Sequence, residues 1–179
     1  MPFKFGLEIH GAKELKKRFR VDIPAAMDET IYRGVVLSTL LVEGDAKKYL
    51  TGQSMDSAQE KAFQLTGNTY LASSSLRRIT ANFSNTITHK ILQLPPSRVE
   101  GSVGTNAVQA RIHEVGGVIK AKYSPFLIFK TDDGLWRRVK EVTMPARPYL
   151  LPAIIKNEKN IYKLFESAFY KSLKTRGIN

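Results

Sequence analysis

The chain has 179 residues, 42% of them hydrophobic and 25% charged, enough for one domain with a sizeable core and unlike the apolar-poor composition of a disordered chain. It contains no cysteine, which excludes disulfide frameworks, thiolate nucleophiles and cysteine zinc sites together. A formal charge of +12 favours anionic partners such as DNA, an acidic protein face or a membrane surface.

No apolar run approaches the roughly 20 residues of a membrane-spanning helix. The longest, around residues 35–42, contains Ser38 and Thr39. Residues 1–6 lack the apolar stretch of a secretion signal, so the chain is expected to stay where it is made, with no membrane partner.

A short strand is predicted at residues 3–9. Leu15 and Phe19, four apart among long polar residues, suit a brief amphipathic helix over residues 12–20, with a boundary near Asp22. Pro24 fits a first helical turn, and Ile23, Met27, Ile31, Val35, Val42, Ala46 and Tyr49 recur on one face of a helix of about 25 residues that ends before Gly52. Residues 51–75 turn small and polar and read as an extended loop or insertion, with a helical turn near residues 58–65.

From residues 79 to 94 the β-branched residues return with Phe83, Ile87, Ile91 and Leu92, which predicts a strand ending before Pro95-Pro96, followed by a second at residues 97–104. Val108, Ile112 and Val115 predict a short helix capped by Asn106 and closed by Gly116-Gly117. Residues 125–129 read as a buried strand, Asp133-Gly134 as a tight turn, and residues 135–143 as the return strand. After Pro145, Pro148 and Pro152, the stripe Ile161, Leu164, Phe165, Ala168 and Phe169 predicts a closing amphipathic helix. The fold class is α+β: an antiparallel sheet of about four or more strands packed against a long helix in the N-terminal half and a C-terminal amphipathic helix, in a single domain over residues 1–179.

Catalytic constellations do not emerge. His10, His89 and His113 lie in unrelated contexts without a nucleophile to activate. His113-Glu114 diverge by about 100° on a helix and suit no metal, and Asp132-Asp133 before Gly134 reads as turn chemistry. Gly101, Gly104, Gly116 and Gly117 match no nucleotide cradle. No enzyme activity, cofactor or metal is expected.

The basic residues cluster at Arg77-Arg78, at Lys120 with Lys122, and at Arg137-Arg138 with Lys140. On the last helix Lys156, Lys159, Lys163, Lys171, Lys174 and Arg176 fall mainly opposite the apolar stripe. A solvated face accounts for such charges, as does a footprint for DNA phosphates or an acidic partner, for which Arg77, Arg78, Arg137, Arg138, Lys163, Lys171 and Lys174 are the candidates. Base readout is not supported.

Four segments occur in a telling order: Leu76-Arg77-Arg78-Ile79, then Val103-Gly104-Thr105-Asn106, then Ala110-Arg111-Ile112-His113-Glu114-Val115-Gly116-Gly117, and Met144-Pro145-Ala146-Arg147-Pro148-Tyr149-Leu150. Together they resemble phage virion-morphogenesis proteins of the tail-completion and neck type, with Met144 and Tyr149 where Ile and Phe are common and a longer, less basic approach at residues 51–75. The resemblance implies a structural protein of the virion, synthesised in the host cytoplasm, that joins or completes the tail at its head-proximal end. It also implies a homo-oligomeric ring bound to neighbouring neck, connector or tail proteins. Ring contacts need two complementary faces. The arm at residues 117–123 and the hairpin at residues 125–143 are the expected sites, with Arg111, His113, Lys120, Lys122, Phe126, Phe129, Trp136, Arg147 and Tyr149 as interface candidates. The competing reading is a sequence-independent nucleic-acid-binding module.

Overall fold

The computed structural model describes residues 12–50, 56–66, 82–95, 98–131 and 133–178; the strand expected at residues 3–9 lies outside them. Helix α1 (Ala12–Lys17) runs through a π-helical turn (Arg18–Asp22) into α2 (Ile23–Tyr49), so the boundary expected near Asp22 is a change of helix type rather than a break. The reason lies at Pro24. Within an α-helix its ring would press on the carbonyl four residues back, and the wider turn, in which the Ile23 N–H donates to the Arg18 carbonyl, accommodates it.

The buried side of α2 keeps Val42, Ala46 and Tyr49 of the expected stripe and departs from it at Met27. Met27 is exposed, whereas Ala26, Thr30, Ser38, Thr39, Val42, Asp45, Ala46 and Tyr49 are buried. Small residues dominate because α6 (Leu150–Thr175) lies close against α2. A Cβ on Gly34 would come within 2.4 Å of the Phe165 ring. Thr30 satisfies its own hydroxyl by donating to the Ala26 carbonyl at 2.7 Å, which lets a polar residue occupy a buried position.

The chain divides into two compact units, one of Met1–Ser38, Ile91–Gly101 and Asn160–Asn179 and the other of Thr39–Lys90 and Ser102–Lys159. In the first, Glu29 accepts from Ser172 Oγ at 2.9 Å and from Arg176 at 2.8 Å. Those hydrogen bonds, with the charge of Arg33, hold its carboxyl below the usual range. Arg176, read as one of the outward basic residues, is therefore committed to an internal ion pair.

In the second unit the α2–α6 contact is polar as well. Asn157, 1% exposed, donates to Asp45 at 2.7 Å and to the Ala153 carbonyl at 2.9 Å. Burial alone would raise the Asp45 carboxyl, but the hydrogen bonds from Asn157 and Lys48 and the charge of Lys156 lower it. Helix α3 (Ser57–Thr66) stands where a helical turn was expected near residues 58–65, longer than that turn and started by Asp56, whose carboxylate accepts from the Ala58 and Gln59 N–H groups at 3.1 and 3.0 Å. Its Phe63 packs with Ala146.

Helix α4 (Asn82–Asn85) precedes β1 (Thr88–Leu94) and β2 (Arg98–Gly104). Phe83 and Ile87 thus lie outside the strand expected to contain them. Ile87 is fully buried, and the half-buried Phe83 packs edge-on against Tyr149. Helix α5 (Ala110–Val115) begins after Gln109 without a side-chain cap. Asn106 is not its cap and Val108 is exposed; the preceding turn is held by Thr105, whose hydroxyl accepts from the Ala107 N–H at 3.1 Å.

Strands β3 (Gly117–Lys120), β4 (Leu127–Lys130), β5 (Trp136–Val139) and β6 (Glu141–Met144) follow. The α+β class holds. Among the described residues, however, the six strands form three antiparallel pairs, β1–β2, β3–β6 and β4–β5, rather than one sheet of four. The expected return strand at residues 135–143 is broken at Lys140, where the chain changes partner from β4 to β3. No helix among the described residues is long and apolar enough to cross a membrane.

Asn157→Ala should lower stability by about 1–3 kcal/mol, since it leaves a buried carboxylate short of a donor. Lys156→Ala removes a half-exposed ammonium 3.8 Å from the same carboxylate and should cost under about 1 kcal/mol. Urea denaturation of the two variants separates these cases.

Candidate assembly surface

The segments 110–117 and 144–150 meet in one junction. The Glu114 carboxylate accepts from the backbone N–H groups of Tyr149, Leu150 and Leu151 at 2.9, 3.1 and 3.0 Å. These are the open donors at the start of α6, and a carboxylate there satisfies them and favours the helix dipole. The Arg147 N–H donates to the His113 carbonyl at 2.6 Å. Gly116 adopts φ +71°, and a Cβ there would sit 2.8 Å from the Ala146 nitrogen, so the backbones approach as closely as only glycine allows.

An aromatic cluster fills the junction. The Phe83 ring lies 5.4 Å from Tyr149, edge-on, and 5.6 Å from His113. Tyr149, expected at an interface, is 1% exposed and belongs to the core; its hydroxyl pKa is pushed up to about 12 by burial and the Glu114 charge. His113 and Arg147, also expected at an interface, are half-buried, with His113 Nδ1 and Arg147 Nε buried and without a hydrogen-bond partner among the described residues. Burial, and then the Arg147 charge, lower the His113 pKa. The carboxylate beside His113 is taken up by helix N–H groups, so this pair serves structure.

From Gly116 the chain enters a β-ribbon that returns at Met144. Its base pairs β3 with β6, Gly117 opposite Met144 and Lys120 opposite Glu141, and the Ala121 N–H donates to the Lys140 carbonyl at 3.1 Å. Its tip pairs β4 with β5, Leu127 opposite Val139 and Lys130 opposite Trp136. Gly134 supplies φ +83° at the turn, where Asp133 accepts from the Leu135 N–H at 3.2 Å, the turn chemistry expected of it.

Contrary to the expected buried strand, the ribbon turns much apolar surface to solvent. Val118, Ile119, Tyr123, Ile128, Phe129, Leu135 and Trp136 are all exposed, Trp136 by 71%. Lys120 pairs with Glu141 at 3.5 Å and Arg137 with Asp133 at 3.6 Å. Lys122 lies over the Tyr123 ring, and Arg138 lies 3.9 Å over Phe126.

The ribbon therefore gathers Lys120, Lys122, Phe126, Phe129, Trp136, Arg137 and Arg138. Arg111 is exposed on α5, and Lys163, Lys171 and Lys174 are exposed on α6 in the other unit. Arg77 and Arg78 lie outside the described residues. Glu114 was missed as a functional residue, because its three partners lie 35 to 37 positions away and local pattern carries no sign of them.

The chain belongs to the phage virion morphogenesis family, whose model matches residues 45–168. It is accordingly a structural, virion-associated protein of a bacteriophage. The matched span contains the whole junction and the whole ribbon. No curated protein and no solved structure matches the chain.

Glu114→Ala should destabilise the protein by about 2 kcal/mol, since it removes a charged cap from a long helix; thermal and urea unfolding check this.

Because His113 has a lowered folded pKa, the unfolded chain takes up its proton first as pH falls through the ordinary value of 6.5. Its contribution to stability is therefore intact above that pH and declines below it until the folded pKa is reached. Against a His113→Gln control, the wild-type protein should lose stability selectively as the pH falls below 6.5; parallel curves would contradict the assignment.

Proposed function

We propose that this virion protein completes or joins the phage tail at its head-proximal end, acting by self-association, as a homo-oligomeric ring in the assembled particle, and by binding neighbouring neck, connector or tail proteins. The observation that carries the reading is the ribbon. Its strands are exposed along most of their length, and a two-stranded pair is marginally stable alone in water. Exposed aromatic and aliphatic groups in such a pair mark a surface that gains by being covered. Trp and Arg, the residues that contribute most at buried interfaces, both occur at its tip.

A second reading, sequence-independent contact with DNA, is favoured by exposed Lys163, Lys171 and Lys174 on α6. The two are compatible, because a ring at the head-proximal end surrounds the path of the genome. Light scattering at low and high salt, with and without duplex DNA, separates them. An oligomeric mass that survives salt supports the assembly reading, while a monomer that binds DNA with steep salt dependence supports the second.

Trp136→Ala should leave folding stability within about 0.5 kcal/mol, as expected for an exposed side chain, and should reduce incorporation into particles. A variant with wild-type stability and undiminished particle formation would remove Trp136 from the contact.

A further inference from the structure

The tip of the ribbon has two faces of different character. Directly opposed residues of an antiparallel pair share a face, so the register puts Leu127, Phe129, Arg137 and Val139 on one side and Ile128, Lys130, Trp136 and Arg138 on the other. On the first, Leu127 and Val139 are half-buried and Arg137 is paired with Asp133. On the second, Ile128 is 64% exposed and Trp136 71%. Neither Lys130 nor Arg138 has a carboxylate partner among the described residues; Arg138 rests on the Phe126 ring instead.

Within the described residues β4 and β5 each pair on one side only. Each leaves a row of unpaired backbone donors and acceptors along its other edge, a template for one more strand.

We infer that the β4–β5 tip is the docking site for an extended acidic segment of a different protein of the particle, which adds as a strand to an open edge. That segment sets carboxylates against Lys130 and Arg138 and apolar side chains against Ile128 and Trp136. The inference rests on the assembly reading above and names the partner chemistry for this part of the surface.

Charge selects the occupant. A second copy meeting tip to tip brings its own Lys130 and Arg138 against the same two cations, and like charges suppress that pairing at this face. A DNA duplex offers phosphates but no backbone able to join a strand edge. An acidic extended peptide satisfies the edge, Lys130 with Arg138, and the apolar groups together.

Trp136 is the only tryptophan in the chain, so its emission reports on this face directly. The probe is the nonapeptide Glu-Thr-Val-Thr-Glu-Thr-Val-Thr-Glu, whose Glu and Val share one face of a strand, with a control carrying Lys for Glu. The full chain should show a saturable blue shift with the acidic peptide alone, weakened by salt. Arg138→Glu should weaken it by about tenfold or more.

No shift with the acidic peptide, or equal shifts with both peptides, overturns the inference. A shift with a short DNA duplex but not with the peptide overturns it in favour of nucleic acid, and one that follows protein concentration alone overturns it in favour of a second copy. Light scattering on the same samples keeps the two readings apart. An oligomer without a peptide response overturns the docking inference and leaves assembly standing, whereas a monomer with a specific response supports docking and removes self-association in isolation.

Discussion

A single carboxylate fixes the part of the molecule on which the functional reading depends. Glu114 holds three N–H groups at the start of α6 from a helix far earlier in the chain, and these charge-assisted bonds are stronger than neutral ones. Gly116 is pressed against Ala146 by the same contact. Because β3 begins at Gly117 and β6 ends at Met144, both ends of the ribbon leave from this junction. The ribbon can expose apolar groups along its length because its base is fixed by contacts it does not itself supply.

Helices α2 and α6 contribute a different kind of order. Their contacts use Gly34 against Phe165 in one unit and Asp45 with Asn157 in the other. Close approach and paired buried polar groups specify register more sharply than a broad apolar stripe would, since a slipped pairing leaves the polar groups unsatisfied. Polar residues at buried positions of α2 are consistent with that requirement.

The long helices, the short α5 and the Asp133-Gly134 turn were legible in the sequence, because each rests on local periodicity or local backbone chemistry. The α2 stripe held at Val42, Ala46 and Tyr49 and failed at Met27, because tertiary packing selected Ala26, Thr30 and Ser38 there instead. Gly34 in mid-helix was the available sign of close approach. The strand at residues 125–129 looked buried because Phe126 to Phe129 is an apolar run, and periodicity cannot tell a run that faces a core from one that awaits a partner. Of the expected contact residues, the basic and aromatic ones at 120–138 share the ribbon. Tyr149 does not, because the chain must cover the α6 N-terminus with something large and apolar.

Hydrogen exchange on the free chain and on the chain within purified particles tests the central claim most directly. The account predicts that amides of the junction at residues 110–116 and 146–151 are protected in both, while those of the ribbon at residues 117–144 exchange readily in the free chain and slow markedly in the particle. Ribbon amides that exchange equally fast in both settings would contradict the claim that this surface is where the protein is joined to the virion.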